Sequence, residues 1–394
     1  MKLKEEFVLK ALEPDACMAR LCREYEVSRQ NGYKWVKRFR SEGLDGLEER
    51  SRRPHSSPLS TSGEMVLQII ELRGKYGWGP KKLRQILAKR LKGEKAPRPR
   101  TIARILARAG AVKRRRPRPV AKVWDEGAPH PTVNEPNDLW TVDFKGWWKA
   151  DDGERCEPLT VRDAYSRFVL RVVLLGSTGV EKVRKEFQRL FEKYGLPKAI
   201  LSDNGNPFAC TRALANLSEL SAWWVSLGIQ VIHSRPGCPQ DNGGHERVHV
   251  DMLPLQEQSA PNRKVQQVLC EKWQREFNHI RPHEALQMRT PAEVYKRSPR
   301  RLPAVVTARY PAGAILRRVK GNGCFYWKGR DIFASHSLRK QTLALICGAG
   351  PRAKVMFHQI TLGEFDLEHG QQVEPICASN CHPLEGLALP DAAV

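Results

Sequence analysis

No run of about 18 apolar residues occurs in this 394-residue chain, which excludes a membrane-spanning helix. The opening MKLKEEFVLKALEPD has acids inside its only apolar stretch and does not read as a signal peptide. The ten cysteines are scattered and build no disulfide framework, so a reducing cytoplasm is the expected setting. No period of about 20–50 residues indicates a solenoid. No Gly-x-x-x-x-Gly-Lys-Ser run is present, so ATP-driven chemistry has no support. Acid is the scarce charge: 67 Lys and Arg face 43 Asp and Glu, a net charge of +24. Such a chain expects a polyanionic partner, either nucleic acid or an anionic membrane surface. With 41% hydrophobic and 28% charged residues it is globular rather than disordered. At roughly 150 residues per domain, two to three domains are expected.

What is present is unevenly distributed. Between Arg73 and Lys122 there are nineteen Lys or Arg and one acid, Glu94. The run closes as Lys113-Arg114-Arg115-Arg116-Pro117-Arg118-Pro119, and Pro and Arg together pack no core, so an extended basic linker is expected. With further breaks at Ser51–Pro58 and Ser298–Pro303, the chain divides into 1–53, 58–120, 130–297 and 303–394. In the first piece Phe7, Val8, Ala11 and Leu12, then Met18, Leu21 and Cys22, recur at helical spacing. Ser28 is a good N-cap for a helix from Arg29 to about Ser41, with Tyr33, Val36 and Phe39 turned inward. Arg29, Gln30, Asn31, Lys34, Lys37 and Arg38 lie along it. This is a helix-turn-helix arrangement, whose second helix enters a major groove. The alternative is a plain three-helix bundle with a solvated basic face. The second piece repeats the device with amphipathic Met65–Arg73 and Pro80–Arg90, then a helix from Pro99 to about Ala109. Ile102, Ile105 and Leu106 share one face of that helix, and Arg98, Arg100, Arg104 and Arg108 the other. It reads as a second DNA-binding helical domain, or else as a spacer that only neutralises phosphates.

The third piece changes texture. Leu139–Phe144 is a short strand containing Asp143, and Cys156–Asp163 and Arg167–Leu175 are β-branched and apolar. Val180–Tyr194 is helical, and Ala199–Gly205 is a buried strand ending in Asp203 and a turn. Strands followed by helix and strand indicate an α/β domain. An Asp in an apolar strand must be paired or bind a metal. Asp203 stands at a strand's C-terminal end, where open α/β sheets place their sites. Glu246 follows near the start of a helix that opens at about Gly244. Three acids brought together require cations, and two Mg²⁺ ions are one solution, suited to phosphoryl transfer. His245 and His249, four apart, are alternatively a zinc pair, but one without a complete ligand set. Cys377, Cys381 and His382 have ligand-like spacing and lack a fourth partner. The last piece holds six short strand-like segments between Ile315 and Thr361, which predict a small C-terminal β-barrel. Arg317, Arg318, Lys320, Lys328, Arg330, Arg339 and Lys340 would give it a phosphate-binding face; a dimerisation or packing module is the alternative.

The wording around the acids is more specific than their spacing. Trp140-Thr141-Val142-Asp143, Ser202-Asp203-Asn204-Gly205 and Ser234-Arg235-Pro236-Gly237-Cys238-Pro239-Gln240-Asp241-Asn242-Gly243 before Glu246 resemble the integrase-core (DDE) transposases of bacterial insertion sequences. More distantly they are similar to retroviral integrases, although no His-His-Cys-Cys zinc domain like theirs is found. Phe277–Leu286 and Thr290–Tyr295 look like that core's closing helices. The resemblance covers about 136–295. It implies a ribonuclease H-like α/β core, which with the α-helical helix-turn-helix region before it and the small β-barrel read from the strand pattern makes a multidomain chain. It implies a catalytic and metal-binding triad of Asp143, Asp203 and Glu246, with two Mg²⁺ or Mn²⁺ ions per active site. The implied activity is a transposase that binds a mobile element's ends, cuts phosphodiester bonds and joins 3′-hydroxyl ends to target DNA. The implied partners are double-stranded DNA and further copies of the chain assembled on it, at the bacterial nucleoid and with no membrane. Arg29, Gln30, Asn31, Lys34, Lys37, Arg38, Arg100, Arg104, Arg114, Arg115 and Arg116 are the expected DNA contacts.

Forty-two residues separate Asp203 from Glu246, more than is usual in the family. The excess is assigned to an added helical stretch, Cys210–Trp224, and Asp241 is the rival third acid. Asp163 reads as a turn residue bonded to Ser166. Two rival functions are a catalytically inactive DNA-binding regulator derived from such an element, and a nuclease that only hydrolyses. All three acids stand, against the first; two DNA-reading domains argue for end recognition, against the second.

Overall fold

The computed structural model describes residues 2–50, 60–91, 95–112, 132–211, 213–235, 237–258, 260–308, 310–348 and 350–375. The chain forms two compact units, Met1–Leu67 and Gln68–Val394. Among the described residues no helix is long and apolar enough to cross a membrane.

In the first unit, α1 (Lys2–Ala11), α2 (Met18–Glu24) and α3 (Arg29–Glu42) close around Phe7, Val8, Leu21, Cys22, Val36 and Leu47. The Ser28 hydroxyl caps α3 by accepting from the Asn31 backbone N–H at 3.3 Å. The inward face of α3 differs from the expected one. Trp35 packs edge-on against Phe7, with ring centroids 5.6 Å apart. Gly32 is buried because a Cβ there would stand 2.8 Å from the Phe7 ring and 2.9 Å from the Cys22 sulfur. The packed line therefore runs through Gly32, Trp35, Val36 and Phe39, a helical spacing that leaves Tyr33 outside and 60% exposed.

In the second unit, α4 (Gly63–Tyr76, mostly within it), α5 (Pro80–Arg90) and α6 (Pro99–Arg108) bury Ile69, Leu72, Leu83, Leu87, Ile102 and Leu106. Arg100 and Arg104 face outward, as their spacing predicts. Two ion pairs tie α5 to the chain after the core's last helix: Lys81 to Glu284 at 2.7 Å and Lys89 to Glu293 at 2.9 Å.

The core is a mixed sheet of β1 (Leu139–Phe144), β2 (Trp148–Lys149), β3 (Arg155–Asp163), β4 (Val169–Leu175), β5 (Ala199–Ser202) and β6 (Gln230–His233). β4, β3 and β1 are antiparallel neighbours, and β1, β5 and β6 run parallel. β2 pairs with β3 beyond the end of β1. α7 (Val180–Tyr194) packs Val183, Phe187, Leu190 and Phe191 with Trp140, Val142 and Ile200. A second cluster joins Val169 and Val172 to Val248, Met252, Leu255 and Phe277 of α9 (Gly243–Asp251), α10 (Leu253–Glu257), α11 (Arg263–His279) and their junctions. The sheet thus lies between helical layers in a ribonuclease H-like arrangement. α11 also closes the outer edge of β4. Gln267, Gln274 and Asn278, on one helix face, accept from the backbone N–H groups of Leu174, Val172 and Val169 at 2.8, 3.2 and 2.9 Å. Their amide nitrogens donate back to β4 carbonyls, so no open strand edge remains there.

The stretch Cys210–Trp224, expected to be helical, is so only from Glu219, where α8 (Glu219–Ser226) begins; before it stand a single 3-10 turn, Leu214–Asn216, and a bridge between Ala209 and Leu217. The C-terminal region departs from expectation. β7 (Ile315–Arg318), β10 (Thr342–Cys347), β11 (Arg352–Phe357), β12 (Ile360–Asp366) and β13 (Gln371–Pro375) form an open sheet ordered β13-β12-β11-β10-β7. β8 (Cys324–Trp327) and β9 (Arg330–Phe333) form a separate hairpin, and no closed barrel exists among the described residues. The reason is packing. Val355, Phe357, Leu362 and Phe365 share one apolar cluster with Phe325 and Ile332 of the hairpin and with Leu217, Ala222 and Val225, so the hairpin and the chain around α8 pack into the face that a barrel would have closed on itself.

Candidate active site

The parallel pairing of β1 with β5 sets Leu139 opposite Ala199, Trp140 opposite Ile200 and Thr141 opposite Leu201. Two residues further on, the same register brings Asp143 beside Asp203 at the C-terminal ends of both strands. On the other side, β3 sets Thr160 opposite Asp143 and Arg162 opposite Thr141. Strand alternation places Thr141, Asp143, Thr160 and Arg162 on one face, and α9 lies over it.

The Asp143 carboxyl is pushed up to about 7, by burial first and then by the charges of Asp203 and Glu246. Asp203 is open to solvent on one side, while the protein mass on the other raises its pKa and the Gly205 backbone N–H partly offsets this. Glu246 sits exposed in the first turn of α9, and its charge is felt at Asp143. Among the described residues, no three His, Cys, Asp or Glu side chains stand close enough to hold a metal ion by themselves. The charges converge without a preassembled cage. Two adjacent carboxylates with raised pKa values fit a divalent cation that uses one or two protein carboxylates and completes its shell with phosphate oxygens.

The neighbouring acids are committed elsewhere. Asp241 is buried and accepts from the Arg235 backbone N–H at 2.9 Å and from its Nε and Nη2 at 3.1 and 3.0 Å. Asp163 accepts from the backbone N–H groups of Ser166 and Asn137, each at 2.7 Å, which is the turn role its position suggested.

A hydrogen-bonded group under α9 is not visible in the sequence. The fully buried His245 ring contacts the Thr141 Oγ1 through Nδ1 at 2.7 Å and the Thr160 Oγ1 through Nε2 at 2.6 Å. His249 Nε2 meets the same Thr160 oxygen at 2.8 Å, and Thr160 donates to the Asp143 carbonyl at 3.0 Å. Burial pushes the His245 pKa down; His249 is pushed down to about 4, by burial first and then by Lys145. One threonine oxygen joins the two histidines through their Nε2 atoms. Beside them, Arg162 donates to the Gly244 carbonyl, and a Cβ on Gly244 would stand 2.7 Å from its Nη2. Glycine at 244 lets α9 approach the sheet. These contacts were hidden because they depend on the register of β1 against β3; only the i, i+4 spacing of the histidines hinted at them.

The expected DNA contacts divide by location. Arg29, Gln30, Asn31, Lys34 and Lys37 are exposed on α3, and Arg38 is half-buried. Gln30, Tyr33, Lys34, Lys37, Arg38 and Arg50 line one concavity there. Arg100 and Arg104 are exposed on α6. Arg114, Arg115 and Arg116 lie outside the described residues, as do Cys377, Cys381 and His382.

Several stretches of the chain are similar to known domains and proteins. Residues 133–239 and 227–291 each match an integrase core domain. Residues 4–55 match a helix-turn-helix domain, and residues 31–106 a homeodomain-like domain. An insertion element IS407 protein of 31.7 kDa from Burkholderia multivorans is 27% identical over 195 residues, 49% of this chain and 67% of that protein. An insertion element IS476 protein of 39.2 kDa from Xanthomonas euvesicatoria is 29% identical over 161 residues, 40% of this chain and 44% of that protein. Among solved structures, the magnesium-bound catalytic core domain of HTLV-2 integrase is 18% identical with a TM-score of 0.32, covering 41% of this chain and 97% of that one. The simian T-cell lymphotropic virus intasome is 16% identical with a TM-score of 0.37, covering 73% of this chain and 91% of that one.

Proposed function

We propose that this insertion-element transposase, distantly related to integrases, cuts phosphodiester bonds at the ends of a mobile element and joins the freed 3′-hydroxyls to target DNA. One observation carries the reading: Asp143 and Asp203 stand side by side at two parallel strand ends, and the charge of Glu246 reaches Asp143. Asp143, Asp203 and Glu246 are the proposed catalytic residues, and they would hold two Mg²⁺ or Mn²⁺ ions that activate the attacking oxygen and stabilise the leaving one. The burial that raises the Asp143 pKa also excludes water and strengthens its interaction with any cationic or polar group at the scissile phosphate. The Thr160 contact fixes the strand that carries Asp143, and the close approach of Gly244 to Arg162 sets the helix that carries Glu246. We assign end recognition to 1–53 and 58–120, chemistry to 130–297 and support to 303–394. Double-stranded DNA is the proposed partner, with several copies of the chain assembling on it.

A binding-only regulator is the second reading, favoured by the lack of a preassembled three-ligand group among the described residues. One assay separates the two. The full chain, a labelled duplex of the element's own end and Mg²⁺ or Mn²⁺ should give a nick that exposes a 3′-hydroxyl, and chelation should abolish it. Tight end binding without any nick would favour the regulator.

A further inference from the structure

Thr160 Oγ1 has three polar neighbours: His245 Nε2 at 2.6 Å, His249 Nε2 at 2.8 Å and the Asp143 carbonyl oxygen at 3.0 Å. A hydroxyl has one proton and two lone pairs. The carbonyl cannot donate, so Thr160 spends its proton there. Both histidines must then present N–H at Nε2. For His245 this leaves Nδ1 as an acceptor, and the Thr141 hydroxyl supplies a proton to it at 2.7 Å. Every polar atom of that ring is satisfied. For His249 the same logic leaves an Nδ1 lone pair, and that atom faces the Asp143 Oδ2 at 3.9 Å. With Asp143 ionised, two acceptors oppose each other across a gap too wide for a hydrogen bond. A cation about 2.0–2.2 Å from each atom can bridge that gap, with an obtuse ligand–metal–ligand angle. Both side chains are mostly buried, at 14% and 22% exposure, so bulk water does not relieve the opposition freely.

We infer that His249 is a nitrogen ligand for the divalent cation held at Asp143, and that Thr160 selects the ring nitrogen it presents. This rests on the active-site reading above and adds a ligand that the three acids do not supply. Fixing a metal-bound imidazole through its other nitrogen is a general device for orienting the ring. An imidazole among carboxylates shifts preference away from Mg²⁺ and toward later divalent metals.

The test is pulsed electron paramagnetic resonance on the full chain with Mn²⁺. The wild type should show nitrogen hyperfine coupling from a directly bound imidazole. His249→Gln should lose that coupling while still binding Mn²⁺. Thr160→Ser should keep it, and Thr160→Val should lose or weaken it. Mn²⁺ that Asp143→Asn displaces but that shows no nitrogen coupling overturns the inference and leaves the active site standing. Coupling unchanged in His249→Gln also overturns it. Mn²⁺ binding that is indifferent to Asp143→Asn removes the proposed active site, and this inference with it.

Discussion

Asp143 is held where it is costly to ionise. Burial and the nearby acids push its carboxyl up to about 7, from an ordinary value of 3.8. A raised acid pKa means the native state holds a proton that the unfolded chain has lost, so stability declines as pH rises from about 4 to about 7. Asp143→Asn removes that decline. Its melting temperature should exceed that of the wild type at pH 8, and the two should converge near pH 4. Millimolar Mn²⁺ should raise the wild-type melting temperature more at pH 8 than at pH 5, since a protonated carboxyl must release its proton before it binds a cation. Asp241 and Glu246 separate at the same scale. Asp241→Asn breaks a buried fork with Arg235 and should lower the melting temperature, with any loss of cleavage following the loss of fold. Glu246→Gln, at an exposed position, should lower cleavage at least about a hundredfold with little change in melting.

At the scale of elements, α9 matters most, because Glu246, His245 and His249 all ride on it. Gly244→Ala places a Cβ 2.7 Å from the buried Arg162 guanidinium, so either that guanidinium or the start of the helix must shift. Cleavage should fall about tenfold to a hundredfold, the scale of an ångström-sized misplacement, while affinity for DNA holds. Unchanged cleavage would show that α9 tolerates the shift. The elements also show what the sequence made legible. β1, α5 and α7 have the limits that their apolar patterns predict, because each pattern is long or sharply bounded. β6 was not visible: Gln230-Val231-Ile232-His233 has only two apolar residues, and its partner lies 31 positions back. Tyr33 was misplaced because periodicity cannot show that Gly32 admits the Phe7 ring and so rotates the helix. The barrel failed for a similar reason. Alternation in β10 to β12 specifies an apolar face, but not that the β8–β9 hairpin and the distant Leu217, Ala222 and Val225 would pack into it.

At the scale of the molecule, the C-terminal sheet and α8 share one apolar cluster. Phe365 is 1% exposed within it, and Phe365→Ala should cost about 3–5 kcal/mol of unfolding free energy, read by denaturant titration of the full chain. A drop confined to a minor early transition would mean that the sheet folds independently of the core. The charge of +24 gives the other molecular expectation. Affinity of the full chain for duplex DNA should fall steeply and log-linearly with salt. Arg29→Ala and Gln30→Ala, at the exposed start of α3, should erode the preference for element ends over random duplex, whereas Lys37→Ala should weaken all sequences alike.

The account centres on Asp143 and Asp203 acting together at one phosphodiester, with Glu246 in support. The most direct measurement is cleavage of a labelled element-end duplex by Asp143→Asn, Asp203→Asn and Glu246→Gln chains at saturating Mg²⁺ or Mn²⁺, with DNA affinity measured in parallel. Each variant should bind the end as the wild type does and lose at least about a hundredfold in cleavage. Cleavage within tenfold of wild type in either aspartate variant, with binding intact, would contradict the assignment.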